Sequence, residues 1–239
     1  MNIQGLQKTT LLDYPKHVAA TIFFGGCNFR CPFCHNGNLV LSPNTTPVYG
    51  PDDVLTFLEK RKGILDGVCI TGGEPTLQTE LVPFLSEIKK LGLSIKLDTN
   101  GYQPQILKEL CQNGLVDYVA MDIKGTPEKY AKICGLSNMD VSRIVDSAAF
   151  LLGGSVAYEF RTTVTREFHQ KEDFAAIASW LAGADAYYLQ SYQFSPQVIS
   201  PRFSAYTIKE LTSFQNLLFR TISHVEIRGT DSTESQEVG

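Results

Sequence analysis

The stretch Gly26-Cys27-Asn28-Phe29-Arg30-Cys31-Pro32-Phe33-Cys34-His35-Asn36 places three cysteines in eight residues, at the spacing C-x3-C-x2-C. It follows the apolar run Val18 to Phe24, which predicts a buried strand that ends at the loop. Three thiolates in one short loop cannot all pair with one another as disulfides, but they can face one small inorganic body. Iron–sulfur clusters are held by cysteine thiolates, usually four, so three leave one iron without a protein ligand. An open position separates a reactive metal site from a closed structural one, and the loop therefore predicts a cluster that takes part in chemistry.

Two other interpretations of the loop stay open: a zinc site made of the three cysteines and His35, and buried thiols that bind nothing. The zinc interpretation is weaker because His35 adjoins Cys34 and would reach the same metal poorly in tetrahedral geometry. The remaining cysteines, Cys69, Cys111 and Cys134, stand alone at wide spacing. We expect them to be small buried residues without a role in the site.

Bulk composition narrows the class of protein. The 239 residues are 43% hydrophobic, enough for one domain, predicted over 1–229, followed by a polar tail over 230–239 that is predicted to be disordered. The net charge is −4 and no Lys/Arg run is present, which argues against a nucleic-acid partner. No apolar segment of eighteen residues and no secretory signal is visible, so we expect no membrane span and a cytoplasmic location, where cysteines stay reduced.

Strand and helix patterns alternate along the chain. The predicted strands cover 17–24, 67–71, 93–97, 116–123, 156–164, 186–192 and 225–228, and the predicted helices begin at Pro51, Glu80, Pro104, Pro127, Asp140, Lys171 and Thr207. The lead-in, Met1 to Lys16, is predicted to be an ordered loop or an edge strand, and the connection from the cysteine loop to Gly50 a loop. This alternation predicts six principal βα units and an α/β fold with a parallel sheet, either open or an incomplete barrel.

Chemically distinctive residues lie where predicted strands end, and parallel α/β folds bind ligands at the carboxyl ends of their strands. These stretches are Gly72-Gly73-Glu74-Pro75, Asp98-Thr99-Asn100-Gly101, Met121-Asp122-Ile123-Lys124 and Arg161. The glycines let a ligand approach the backbone closely, and Glu74 adds a carboxylate suited to an ammonium group. As plain structure, the same stretches would be turns, an edge ion pair and a solvent-directed arginine. No Ser/His/Asp set is present, so no catalytic side chain is predicted.

The cysteine spacing, with an aromatic residue before the third cysteine, resembles the signature of the radical S-adenosylmethionine (SAM) superfamily. The resemblance implies a partial (β/α)6 barrel and a [4Fe-4S] cluster on Cys27, Cys31 and Cys34 that chelates SAM and splits it reductively to a 5′-deoxyadenosyl radical. It also implies that Phe33 lies beside the adenine and that Gly72, Gly73 and Glu74 bind the SAM amino group. Asp98, Thr99, Asn100, Asp122 and Lys124 match stretches that line the SAM site of glycyl-radical activating enzymes, Arg161 is a further candidate, and Asp98 and Asp122 are candidates for a monovalent cation.

Within the superfamily, four stretches resemble activating proteins of anaerobic ribonucleoside-triphosphate reductase: Lys8 to Pro15, Gly26 to Asn36, Gly73 to Gln78 and Glu226 to Gly229. That resemblance implies a large glycyl-radical enzyme as partner and an external electron donor such as flavodoxin or ferredoxin. Two alternatives stay open. One is a radical SAM enzyme that acts on a small molecule, like the carboxy-deazaguanine synthases, and the other is a metal-binding module without catalysis.

Overall fold

The computed structural model describes residues 1–42 and 48–230 of the chain. These residues form two compact units. The first contains Met1–Arg30, Asn36–Met121 and Ser142–Tyr158, and the second contains Cys31–His35, Asp122–Val141 and the segment from Glu159 onward. No helix of the described residues is long and apolar enough to cross a membrane.

Five neighbouring strands organise the first unit. They are β1 (Ile3–Thr10), β2 (Ala19–Phe24), β3 (Gly67–Gly72), β4 (Ser94–Thr99) and β5 (Tyr118–Asp122). β1 is antiparallel to β2, whereas β2 to β5 run parallel to one another in chain order. Ala19 pairs with Gly67 and Phe24 with Gly72, so β2 and β3 end at the same level. This register brings the residue before the cysteine loop next to the glycine turn.

Helices connect these parallel strands, as the sequence predicts. They are α1 (Gly37–Leu41), α2 (Pro51–Lys60), α3 (Leu81–Lys90), α4 (Pro104–Gln112) and α6 (Ser142–Leu152). α2 begins with proline and carries Asp52 and Asp53 in its first turn, where acidic groups complement the helix dipole. Each of α2, α3 and α4 buries its apolar residues and exposes its charged ones, which is the usual pattern for a helix that covers a sheet.

The second unit contains the parallel strands β6 (Ala157–Val164, of which the last six residues belong to this unit), β7 (Ala186–Ser191) and β8 (His224–Arg228). Its helices are α5 (Tyr130–Ile133), α7 (Lys171–Trp180) and α8 (Ile208–Leu218). Thr207 and Glu210 form a reciprocal capping box at the start of α8, which satisfies backbone donors that a helix start leaves unpaired. Phe174 and Phe214 stack at 4.6 Å and join α7 to α8.

The lead-in and the loop before Gly50 differ in outcome from the expectations. Residues 3–10 of the lead-in form the antiparallel strand β1, which is one of the two outcomes that the sequence allowed. The connection after the cysteine loop contains the short helix α1, which the sequence analysis took for loop. The predicted polar tail lies, apart from Thr230, outside the described residues.

Candidate functional site

The cysteine loop leaves β2 through a left-handed glycine. Gly26 has φ +89°, and its amide donates to the carbonyl of Leu39 at 2.8 Å, which ties the start of the loop to α1 behind it. Cys27 is half-buried, and its sulfur accepts from the Phe29 amide at 3.3 Å and from Asn100 Nδ2 at 3.8 Å. The first cysteine is thus held by donors from its own loop and from the end of β4.

The Gly72-Gly73 turn packs against both ends of the cysteine loop within the first unit. The Gly73 amide donates to the carbonyl of Phe24 and the Glu74 amide to that of Gly26, both at 2.8 Å. Asn36 Nδ2 donates to the carbonyl of Gly72 at 2.9 Å. A Cβ on Gly73 would overlap the carbonyl oxygen of Gly26, so only glycine allows this approach. The two motifs are therefore one structural assembly.

Glu74 is fully enclosed. Its side chain has no exposed surface, and Oε1 accepts from the Thr76 amide at 3.2 Å, the Thr76 hydroxyl at 2.5 Å and the Thr99 hydroxyl at 2.8 Å. Oε2 accepts from the Asn100 amide at 2.7 Å. Burial raises the pKa of Glu74, and the hydrogen bonds from Thr76, Asn100 and Thr99 oppose that shift. The carboxylate joins the glycine turn to the end of β4, which corrects the expectation that it faces a ligand ammonium.

Thr99 and Asn100 likewise direct their polar groups into the protein. The Thr99 hydroxyl binds Glu74 and also accepts from the Gly101 amide at 3.1 Å. Asn100 is 5% exposed and bridges toward the cysteine loop, with Nδ2 at 2.8 Å from Asn28 Oδ1. In this structure the two side chains organise the loop rather than present a face to a ligand.

Asp98 carries a cation of its own. Its carboxylate forms an ion pair with Lys96, two residues earlier on the same face of β4. The Lys96 side chain is only 3% exposed, and its ammonium also lies 3.9 Å from the sulfur of Cys69. The sequence analysis missed Lys96, although a lysine inside an apolar strand two residues before an aspartate was a signal for this pair. A neighbouring ammonium disfavours the expected monovalent cation at Asp98.

Asp122, Lys124 and Arg161 form an ion triad in the second unit. Arg161 Nε lies 2.5 Å from one carboxylate oxygen of Asp122, and Lys124 Nζ lies 2.9 Å from the other. Burial by itself would raise the pKa of Asp122, but Arg161 and Lys124 outweigh it and hold that pKa well below its ordinary value of 3.8. Arg161 is therefore paired with a carboxylate rather than directed to solvent. One anion with two cations leaves a net positive charge, which suits an anionic group of a ligand.

Phe33 lies in an aromatic group of the second unit that also contains Phe168, Phe203, Tyr192 and His35. Its ring is 5.9 Å from that of Phe168 and 5.8 Å from that of Phe203, while Tyr192 lies 6.3 Å from Phe203 and 5.6 Å from His35. Tyr192 is 3% exposed, yet its hydroxyl has no hydrogen-bond partner within the described part of the chain. A buried hydroxyl usually finds a partner, so this orphaned group marks a place where a polar ligand atom would fit. The sequence analysis passed over Tyr192.

Cys134 departs from the expectation that the outlying cysteines are isolated. It is buried in α5's C-terminal cap, and its hydrogen bond with Cys31 lowers the pKa of the Cys31 thiol, with burial opposing and Lys124 adding to the effect. Cys69 and Cys111 are buried as predicted, and burial raises the pKa of Cys111 to about 12. Across residues 1–42 and 48–230, no three His, Cys, Asp or Glu side chains are grouped so as to hold a metal ion. The cluster ligands therefore stay a prediction.

Comparison with known proteins decides the family. Residues 21–153, more than half of the chain, match the model of the Radical SAM superfamily. A protein of Methanocaldococcus jannaschii, MJ1227, whose name gives it provisionally as a glycyl-radical enzyme activating enzyme, is 32% identical over 80% of this chain and 80% of its own. The chain is a radical SAM enzyme of the glycyl-radical enzyme activating family. Radical SAM enzymes use a [4Fe-4S] cluster and SAM, and activating enzymes act on a glycyl-radical enzyme.

Other relatives agree with this family. The pyruvate formate-lyase 1-activating enzyme of Escherichia coli K12 is 31% identical over 64% of this chain and 63% of that protein. Streptococcus suis SuiB bound to S-adenosylmethionine matches with a TM-score of 0.68 at 14% identity, covering 85% of this chain and 48% of SuiB. A domain of the pyruvate-formate lyase-activating enzyme of Bacteroides vulgatus matches with a TM-score of 0.56 at 16% identity, over 68% of this chain and 99% of that domain. The activating family spans chains of different lengths: this chain covers about half of SuiB but most of MJ1227.

These findings confirm the predicted α/β fold with parallel strands as that of radical SAM enzymes. They also decide between the interpretations that the sequence left open. The chain is an enzyme rather than a metal-binding module without catalysis, and its relatives are activating enzymes rather than enzymes named for a small-molecule substrate.

Proposed function

We propose that this activating enzyme generates the glycyl radical of an anaerobic ribonucleoside-triphosphate reductase. The four stretches that resemble activators of that reductase support the choice of partner, and the wider family supports the reaction type. The observation that carries the proposal is the packing of the Gly72-Gly73 turn on Gly26 and Asn36. It joins the predicted cluster loop and the predicted SAM-binding turn into one rigid assembly.

Cys27, Cys31 and Cys34 are the proposed ligands of the [4Fe-4S] cluster. Three thiols fit a cluster that keeps one iron open for SAM. Asn28 Nδ2 is a buried amide donor without an acceptor among the described residues, and an inorganic sulfide is a suitable acceptor for it. When bound, the cluster supplies the electron that cleaves SAM, and the resulting 5′-deoxyadenosyl radical removes a hydrogen atom from the partner's glycine.

The chain's own residues bind and orient SAM. In the first unit, the backbone of Gly72 and Gly73 is proposed to bind the amino group, and Asp98 is a further polar contact. In the second unit, the positive charge of Lys124 and Arg161 suits the SAM carboxylate, and Phe33 and the unpaired hydroxyl of Tyr192 suit the adenine. Aromatic packing with one buried hydroxyl is a favourable environment for a purine ring that carries nitrogen acceptors.

The electron donor and the setting follow from the composition. The six cysteines provide one group of three and no second cluster motif, so an external flavodoxin or ferredoxin is the proposed donor. Residues 1–229 are the proposed radical SAM domain, and the cytoplasm, where thiols stay reduced, is its proposed location.

The test combines the purified protein, reconstituted anaerobically with iron and sulfide, with dithionite, SAM and the candidate reductase. Production of 5′-deoxyadenosine and a glycyl radical signal in the electron paramagnetic resonance (EPR) spectrum of the reductase are expected, and a reductase with alanine at its radical glycine should give no such signal. Pyruvate formate-lyase serves as the competing partner. Production of 5′-deoxyadenosine with a radical only on pyruvate formate-lyase would overturn the choice of partner, and no cluster would overturn the ligand assignment.

A further inference from the structure

Two asparagine amides lie against the sulfur of Cys27. Asn100 Nδ2 is 3.8 Å from Cys27 Sγ, and the Phe29 amide is 3.3 Å from the same atom. The Cys27 thiol donates to Asn28 Oδ1 at 3.9 Å. Once Cys27 loses its proton to bind iron, its sulfur can only accept, and the amide donors are the groups that can stabilise its charge.

The orientation of the Asn100 amide is fixed by its other contacts. The Tyr102 amide donates to Asn100 Oδ1 at 2.9 Å, which identifies this atom as the oxygen because a backbone N–H can only donate. Nδ2 must therefore face Asn28 and Cys27. The Asn100 backbone amide is in turn bound by the enclosed carboxylate of Glu74 at 2.7 Å. Asn100 cannot turn away from the sulfur without breaking three hydrogen bonds.

Asn28 is oriented by the same pair. Its Oδ1 accepts from Asn100 Nδ2 at 2.8 Å, so its own Nδ2 points elsewhere. That nitrogen is buried and has no acceptor among the described residues. A buried amide N–H without a partner costs about 1–3 kcal/mol, and an acceptor that arrives with the cluster would remove this cost.

We infer that Asn100 and Asn28 are positioning residues that tune the reduction of the cluster through N–H donors, Asn100 to the sulfur of Cys27 and Asn28 to a sulfide. This inference rests on the proposed function, since it takes Cys27 as a cluster ligand. Uptake of one electron from an external reductant adds one negative charge to the cluster and its thiolates. Donors at these sulfurs stabilise the reduced form and raise its potential, because hydrogen bonds to the sulfurs are among the factors that set cluster potentials.

The test is an EPR-monitored redox titration of the reconstituted full-length enzyme, without SAM or partner, with dithionite as reductant. Asn100→Ala and Asn28→Ala are compared with wild type, and Asn113→Ala, at the end of α4, is the matched control. At a fixed potential, the ratio of reduced to oxidised cluster should fall about 3- to 10-fold in Asn100→Ala, a tenfold fall being 59 mV for one electron. Asn28→Ala should change it in the same direction, and Asn113→Ala should leave it as in wild type, with the iron content equal in all four proteins.

The outcomes separate this inference from the proposed function. A wild-type protein that assembles no cluster would overturn both. Full clusters with ratios within twofold of wild type in both variants would overturn the inference alone. If Asn100→Ala fails to fold because it loses several hydrogen bonds, Asn28→Ala decides, since it removes the unpaired donor and leaves the Asn100 to Glu74 contact in place.

Discussion

A methyl group on Gly73 tests the assembly of the glycine turn with the cysteine loop. Gly73→Ala would place a Cβ onto the carbonyl oxygen of Gly26, which belongs to the backbone and cannot be moved aside as a flexible side chain could. The turn must shift, and the hydrogen bonds from the Gly73 amide to Phe24 and from the Glu74 amide to Gly26, both 2.8 Å, lengthen or break.

The magnitude follows from these contacts. Each backbone hydrogen bond contributes about 0.5–1.5 kcal/mol net, and the overpacking itself costs about 1–3 kcal/mol. We therefore expect Gly73→Ala to lower the free energy of unfolding by about 2–6 kcal/mol. A domain has about 5–15 kcal/mol in total, so the change removes a large share of its stability. The cysteine loop loses its support at the same time, and less iron and sulfide should bind after reconstitution.

Urea unfolding of the apoprotein, followed by circular dichroism, measures the first effect, and iron and sulfide analysis measures the second. Gly92→Ala is the matched control, because Gly92 also has a left-handed φ of +81° but no neighbour within 4 Å of the added carbon. It should cost about 1–2 kcal/mol from backbone strain and leave the iron content unchanged. A Gly73→Ala protein within about 0.5 kcal/mol of wild type would refute the packing argument. A destabilised protein with full iron content would refute the link between the turn and the cluster loop.

Three further substitutions test other parts of the site. Tyr192→Phe removes the unpaired buried hydroxyl and should weaken SAM binding about 5- to 10-fold, the worth of one hydrogen bond; equal affinities in calorimetry would exclude Tyr192 from the SAM site. Asp122→Asn removes a carboxylate whose pKa is depressed by Arg161, so the stability that this carboxylate contributes is present above about pH 4 and lost below it. The stability difference between wild type and Asp122→Asn should accordingly shrink as the pH falls from 7 to 3 in urea unfolding, and a difference that does not depend on pH would contradict the ion triad. Cys31→Ala should abolish cluster assembly while Cys111→Ala keeps it, and iron analysis that finds a full cluster in Cys31→Ala would show that the ligands were assigned wrongly.

The period of the sequence was sufficient for the main elements of the fold. α4 was predicted over the residues that it occupies, because Pro104 begins it and Asn113-Gly114 follows it. Two segments were less predictable for physical reasons. β1 mixes polar and apolar residues because only one of its edges pairs with a strand, and α1 has five residues, too few for a helical period to appear.

The candidate site was predictable in its chemistry but not in its contacts. The spacing of the cysteines and the position of carboxylates at strand ends could be read directly from the sequence. Which partner each polar group takes depends on tertiary structure. The pairing of Lys96 with Asp98 could have been inferred from their period of two, whereas the unpaired hydroxyl of Tyr192 and the contact of Cys134 with Cys31 depend on residues far apart in the chain.

The enclosure of Glu74 gives the Gly-Gly-Glu motif a different physical meaning in this chain. A carboxylate that accepts four hydrogen bonds and has no exposed surface cannot also bind an incoming ammonium without leaving buried donors unpaired, at about 1–3 kcal/mol for each. What the carboxylate does is fix the ends of β3 and β4 to each other, and through Asn100 it fixes the donor at Cys27. An enzyme that directs a reactive radical to one glycine depends on a rigidly held cofactor, since small displacements of reacting groups cost large factors in rate. In such a site a buried acid that holds the loops together contributes as much as one that touches the ligand.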